Sequence, residues 1–256
     1  MTASRQREAG PSVVDAPTIF RRDGHVTIPG IFSATEMADA AADAMAYASE
    51  TVAHLDPAGL RKYIEAGIGG DGKPRWIDHP VRHRPLFDRL ARAPALVAAV
   101  EALVGPGVDV YFSQVFFKPP EGGSAKPAHQ DNFYAGPNDP DGLVTAWIAL
   151  DAATAENGCL EFVDGSHLGP ILPHLAPPDE PFHLQIPAEI LAAMPFTEAP
   201  VPRGGVSFHH GGTIHRSGSN HSAHWRRATA ITYVTKTTRF DDPKLNYDPA
   251  MRLSVS

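Results

Sequence analysis

One cysteine, Cys159, in 256 residues has no partner for an internal disulfide, which excludes the stapled scaffolds of small secreted domains. Nowhere does the chain approach the roughly 18 consecutive apolar residues that a spanning helix needs, so no contact with the membrane interior is expected. Positive charge is in deficit, with Lys+Arg 22 against Asp+Glu 29 and a net charge of -7, and this removes the electrostatic basis for binding nucleic acid or an anionic membrane. The first residues carry no apolar run behind their charges, and a cytoplasmic location is the expectation. No repeat and no compositional break marks a second domain. What remains is a hydrophobic content of 43%, enough for a substantial core in one domain. The expected partner is a small molecule, with no obligate protein partner in view.

Along the chain, residues 1–17 are polar, broken by Pro11 and Pro17, and read as a flexible arm ahead of a single domain over 18–256. His25–Ile28 reads as a short strand. Ser33-Ala-Thr-Glu36 is a capping box, predicting a helix that runs to about Ala48. Residues 55–80, with Gly69-Gly-Asp-Gly72, read as a long loop, followed by two short helices over Arg84–Ala93 and Pro94–Val104. From Val108 the pattern turns to β-type runs: Val108–Lys118, Leu143–Leu150, Leu160–Val163, Val206–His209 and Arg226–Thr235. Between Pro170 and Pro202 lies a proline-rich excursion with one helical turn near Glu189–Ala193. The fold class expected is mostly β with flanking helices, its core a jelly roll, the cupin-like double-stranded β-helix.

His129-Gln-Asp131, followed by His215 and then Arg226, is the group of residues that carries chemistry. Two imidazoles and a carboxylate on one face of Fe(II) leave adjacent positions open for a bidentate 2-oxo acid and dioxygen. On a strand, residues two apart point the same way, so His129 and Asp131 can reach one ion while Gln130 faces away. A bare His-x-Asp is common by chance, and His215 can equally be a solvated or core histidine, with His209 or His210 as rivals for the third position. Arg226 opens a strand whose Ala228, Ala230 and Thr232 share its face. Its planar fork suits a carboxylate deep in a barrel, while an edge arginine in water is the plain alternative, which Arg227 is expected to be. Ser217 can add a hydroxyl to the same carboxylate. Thr145 and Trp147 share a strand face, and Trp147 is either a wall for that ligand or simple core.

These motifs, with Glu156-Asn-Gly-Cys-Leu-Glu161, Asp164-Gly-Ser-His167 and His215-x-Ser-x-x-Asn220 leading to Arg226, resemble the phytanoyl-CoA dioxygenase family, which includes ectoine hydroxylase. The resemblance runs from about Phe20 to Thr237. It implies an enzyme using Fe(II), 2-oxoglutarate as co-substrate and dioxygen, with His129, Asp131 and His215 as metal ligands. Arg226 would bind the distal carboxylate of 2-oxoglutarate with Ser217 alongside, and Lys118 and Gln114 match a strand that lines the family's site. Hydroxylation of an unactivated C–H is the expected outcome, with desaturation, epimerisation and cyclisation open, in the setting of specialised metabolism. Aspartate at 131 favours oxygen chemistry over halogenation, because halogenating members carry a small residue there. Asp164-Gly-Ser-His167 is expected to organise backbone, and Cys159 to be buried and inert. The rival readings are a metal-dependent cupin-like hydrolase or isomerase, which has no need of Arg226, and a non-catalytic small-molecule-binding protein.

Overall fold

The computed structural model describes residues 15–64, 73–176, 184–241, 243–244 and 248–256. Most of the expected N-terminal arm, residues 1–14, and the Gly69-Gly-Asp-Gly72 loop lie outside them. The arm nevertheless ends earlier than expected. Helix α1 (Ala16–Asp23) starts inside it, because Pro17 suits the first turn and Phe20 buries its ring, and Gly24, at φ 81, closes the helix by donating its N–H to the Phe20 carbonyl at 2.8 Å. After β1 (His25–Ile28) comes α2 (Ala34–Val52). Its capping box forms as expected: Glu36 Oε2 accepts from the Ser33 N–H at 2.8 Å while Ser33 Oγ accepts from the Glu36 N–H at 3.2 Å. The helix outruns its expected end at Ala48, since Met37, Ala40, Ala41, Ala44 and Ala48 make a buried stripe at helical spacing and no breaker follows.

The expected loop at 55–80 contains α3 (Pro57–Tyr63) and β2 (Trp76–Asp78), and an unexpected short helix, α4 (Pro80–His83), precedes the two expected ones, α5 (Pro85–Ala91) and α6 (Pro94–Val104). Pro85 separates α4 from α5, because the residue before a proline is driven out of the helical region, and Arg84 sits at φ -127, ψ 115. Then follow β3 (Val108–Lys118), β4 (Lys126–His129), α7 (Asp131–Ala135), β5 (Leu143–Ala149), β6 (Leu160–Phe162), α8 (Ala188–Leu191), β7 (Thr197–Ala199), β8 (Val206–His210), β9 (His215–Ser217), β10 (Arg226–Thr235) and β11 (Leu253–Ser254). Among the described residues no helix is long and apolar enough to cross a membrane.

The larger sheet runs β1-β8-β5-β10-β3-β11 with β2 on the flank of β3, and the smaller runs β4-β9-β6-β7. All named pairs are antiparallel. This is the double-stranded β-helix the sequence leads one to expect. One face of the larger sheet packs on α2, α5 and α6 through Val115, Phe117, Ile148, Phe208, Ile231 and Tyr233 against Met37, Phe87, Leu96 and Val100. By alternation the other face presents Gln114, Lys118, Thr145, Trp147, His209, Ala230 and Thr232 to a cavity. A bulge where β10 meets β3, between Thr232 and Tyr233, brings both Tyr111 and Phe112 to that cavity.

Tyr233 fastens the helical layer to the sheet. It is fully buried, and its hydroxyl donates to the carbonyl of Ala91 at 2.8 Å, one of the acceptors left over at the end of α5. Tyr233→Phe is expected to lower the unfolding free energy by about 1–3 kcal/mol, because the Ala91 carbonyl then stays buried without a donor. Urea denaturation checks this, and a wild-type midpoint at unchanged slope would show that the bond contributes nothing.

Candidate metal centre and its cavity

His129 ends β4 and His215 opens β9, and the two are direct cross-strand partners, so strand pairing itself brings their rings to 4.2 Å between centroids. Asp131 is not on a strand, contrary to expectation. It is the first residue of α7, yet Gln130 before it is extended at φ -127, ψ 130, so the same-side relation of His129 and Asp131 survives. Asp131 Oδ1 lies 3.8 Å from Nε2 of His129 and 3.8 Å from Nε2 of His215, and one donor atom from each of the three residues falls within 4.8 Å of the others. Nδ1 of His129 donates to the Pro127 carbonyl at 2.8 Å and Nδ1 of His215 to the Thr213 carbonyl at 3.0 Å. Those bonds fix the tautomer and leave each Nε2 a bare acceptor facing the gap, the form a metal takes.

Burial, reinforced by the proximity of His215 and Lys126, pushes His129 well below the usual imidazole value, and burial brings His215 down to about 4. Both rings are therefore neutral at physiological pH. Burial opposes ionisation of Asp131, but His215, the hydrogen bond from His209 and the other imidazoles outweigh it and hold the carboxyl well below its ordinary range. Two neutral imidazoles and one carboxylate need lose no proton to receive a divalent cation.

Gln130, fully buried, faces away as expected and braces the site. Its side chain donates to the Gly212 carbonyl at 2.8 Å and accepts from the Leu172 N–H at 2.8 Å, while its own N–H donates to Nε2 of His174 at 3.0 Å. Asn132 donates its N–H to the Gly211 carbonyl at 2.8 Å, and a Cβ at 211 would run into the side chains of Asn132 and Leu143.

All nine expected site residues line one cavity between the sheets. Beside the donor cluster are Thr145, whose hydroxyl donates to Asp131 Oδ2 at 2.7 Å, and Gln114, whose amide donates to Asp78 Oδ1 at 2.7 Å. Asp78 also accepts from Tyr63 and Lys62, so the rim carries a closed hydrogen-bond network. Arg226 is 2% exposed, with its guanidinium 5.3 Å from the ring centre of Trp147 and its Nε without a partner. Among the described residues no carboxylate pairs with it. Burial pushes its pKa down to about 9, only partly opposed by Cys159 and the more distant Asp151. Lys118 is its cross-strand partner on β3 and donates to the carbonyls of Ser217 and Gly218. Asn220 ties the same corner together, donating to the Lys118 and His224 carbonyls. Small side chains at Ala228 and Ala230 leave space beside Trp147.

Arg227 departs from expectation. It is no edge arginine in water, for it donates to Asp151 at 2.7 and 3.0 Å, and Arg203 joins the same carboxylate at 2.8 Å. His210 stands apart from the donor cluster, its Nε2 3.1 Å from Asp141 and its Nδ1 accepting from the Gly212 N–H. His209 lines the cavity but meets Asp131 Oδ2, at 3.2 Å, and not Oδ1, the oxygen facing His129 and His215. Sequence reasoning treated it only as a rival ligand. Its true position depends on the register of β8 against β5, which no local signal carries. The Asp164 turn organises backbone as expected, with Asp164 meeting His25 at 2.8 Å and Ser166 Oγ accepting from the Ile214 N–H at 2.9 Å. Cys159 is buried, and burial raises its thiol pKa. From the stretch 55–80, Lys62, Arg75, Trp76 and Asp78 line the cavity, whereas His79 packs edge-on against Phe112.

The family model described as Phytanoyl-CoA dioxygenase (PhyH) matches residues 20–228. Phytanoyl-CoA dioxygenase domain-containing protein 1 of Mus musculus is 33% identical over 155 residues, which cover 58% of this chain and 53% of the mouse protein. The chain spans about half the length of the curated relatives it matches. Among solved structures, the non-heme monooxygenase ThoJ superposes with a TM-score of 0.71 at 25% identity, covering 94% of this chain and 83% of that one. The epimerase SnoN, solved with Fe3+, alpha ketoglutarate and nogalamycin RO, gives a TM-score of 0.68 at 27% identity and covers 93% of this chain and 92% of its own. With the fold, the donor cluster and the family match over most of its length in agreement, this chain belongs to the phytanoyl-CoA dioxygenase family.

Proposed function

We propose that this chain is an Fe(II)- and 2-oxoglutarate-dependent dioxygenase that oxidises an unactivated C–H of a small molecule. The observation that carries the reading is a pair of features in one cavity: a neutral–neutral–anionic donor set converging on one gap, and a buried arginine with no carboxylate partner among the described residues. A divalent metal answers the first and a dicarboxylate the second. When bound, Fe(II), 2-oxoglutarate and dioxygen supply the oxidising chemistry, and the protein supplies orientation and a dry site.

In this reading His129, Asp131 and His215 hold the metal from one side, and the fixed tautomers of both imidazoles keep their Nε2 atoms aimed at it. Arg226 takes the distal carboxylate through its planar fork, with Ser217 beside it, Trp147 as a wall and Lys118 and Gln114 completing that end of the cavity. Aspartate at 131 occupies a coordination position and so favours oxygen transfer over halide transfer. A hydrolase or isomerase on the same scaffold has no use for Arg226, and a binding protein has none for the intact donor set. Hydroxylation is the outcome we favour. The similarity to a structure described as an epimerase supports keeping radical rearrangements of the substrate open, in a setting of specialised metabolism. A small-molecule substrate and a cytoplasmic setting fit the single buried cysteine and the net charge of -7.

Three outcomes test this function. His129→Ala, Asp131→Ala and His215→Ala should each abolish substrate-stimulated succinate formation and lower iron content, whereas His210→Ala should retain both; the reverse pattern would remove His215 from the site. Chloride should not enter product, and a chlorine isotope pattern in its mass spectrum would overturn the role given to Asp131. Arg226→Ala should raise the 2-oxoglutarate KM about a hundredfold or more, because breaking a buried two-point ion pair costs on the order of 3 kcal/mol, while Fe(II) affinity stays near wild type. Arg226→Lys should recover part of that loss. Arg227→Ala breaks the Asp151 pair and should lower stability without moving the KM. Anaerobic titration, followed by the weak visible charge-transfer band of the metal with the 2-oxo acid, separates the two arginines; equal effects would reverse the assigned strand register.

A further inference from the structure

Strands β10, β5 and β8 lie side by side, and their registers place Thr232 opposite Thr145 and Thr145 opposite His209. The three therefore form one row across the cavity face of the larger sheet, and all three line the cavity. The row is joined by hydrogen bonds and ends on a single atom. The hydroxyls of Thr232 and Thr145 are 3.2 Å apart, Thr145 donates to Asp131 Oδ2 at 2.7 Å, and His209 Nε2 lies 3.2 Å from that same oxygen. The other carboxylate oxygen, Oδ1, is the one that faces His129 and His215.

An ionised carboxylate can only accept, so in this contact Nε2 of His209 is the donor. Nδ1 is buried and has no partner among the described residues, and the whole side chain is 2% exposed. The bond to Asp131 is thus the polar contact that this ring makes. His209 also packs on His215, with 4.3 Å between ring centroids, so it touches two of the three residues of the donor cluster without belonging to it. From this geometry we infer that His209 and Thr145 are positioning residues that keep Asp131 a one-oxygen ligand: with Oδ2 held by two donors from the sheet, only Oδ1 is available to the metal, and the positions beside it stay open. The inference rests on the metal-centre reading of His129, Asp131 and His215. Partners of a ligating carboxylate tune metal affinity and geometry without touching the ion.

Co(II) is the probe, titrated into the full chain and followed by its visible absorption, which reports both affinity and coordination number. His209→Phe keeps the ring that packs on His215 and removes the donor, and Thr145→Val removes the hydroxyl at constant shape. Each should raise the Co(II) dissociation constant about 10–100-fold and weaken the visible band as the second oxygen of Asp131 swings onto the metal. His209→Gln, whose amide nitrogen can take the place of Nε2, and Thr145→Ser should return both readouts close to wild type. Metal-free thermal unfolding checks that each variant folds, and the isosteric Thr145→Val carries the test should the larger change at 209 not fold. Unchanged affinity and band in His209→Phe and Thr145→Val, in a chain whose wild type binds Co(II), overturns the inference and leaves the metal centre standing. So does a loss in His209→Phe as complete as that of His215→Ala, since it would make His209 a ligand. A wild-type chain that takes up no Co(II) removes the metal centre itself.

Discussion

The alternation of side chains across the larger sheet is the constraint on which both halves of this molecule depend. Each central strand must feed a dry, close-packed layer under the helices and a polar cavity on its other face, and a slip of one residue would exchange the two. β10 shows how tightly this is written: Ile231 and Tyr233 enter the helix-packed core while Arg226, Ala230 and Thr232 enter the cavity. β5 repeats the division, with Ala146 and Ile148 on one side and Thr145 and Trp147 on the other. The bulge opposite Tyr233 is where the pattern is deliberately broken, and it places two consecutive aromatics on the cavity wall. Packing energy from the helical side therefore fixes, at no further cost, where every functional group on the cavity side points.

The cavity is correspondingly expensive. A guanidinium that is 2% exposed with an unpartnered Nε, and a histidine whose Nδ1 is likewise buried and unpartnered among the described residues, are arrangements that a structure selected for stability alone would replace with apolar groups. Elsewhere the same protein pairs its buried charges carefully. Asp151 is shared by Arg227 and Arg203, and Arg252 meets Asp109 at 2.6 Å. The contrast is with Arg227, the sequence neighbour paired to Asp151: Arg226 has no carboxylate partner among the described residues, and the proposed co-substrate role rests on that difference.

The long strands and the donor residues were legible in the sequence because each rests on a local pattern. β3 and β10 have the expected limits, being rich in β-branched and aromatic residues over ten or more positions, and His-x-Asp with a later histidine and arginine is a spacing that can be read directly. β4, β7 and β9 have three or four residues with almost no β-branched or aromatic side chains, so unlike the equally short β1 and β6 they left no signal, though β4 and β9 carry the candidate ligands His129 and His215. α1 was hidden inside what reads as a polar arm because its single buried aromatic, Phe20, finds its core only in three dimensions. Long-range pairing accounts for the remaining misses. The partner of Arg227 lies 76 positions away at Asp151, and the role of His209 depends on a register between strands separated by the whole proline-rich excursion.

Gln130 has a consequence of its own. Lying between two ligands, it is bound through its side chain to the turn ahead of His215 and to the excursion at Leu172, and through its N–H to His174. The three donors are thus already gathered by the fold, and their loss of freedom is charged to folding and not to metal uptake. On the proposed metal-centre reading such a site would be a rigid chelate, gaining affinity from preorganisation and discriminating among divalent ions by how well each tolerates a fixed three-point face, which a flexible set of the same residues could not do.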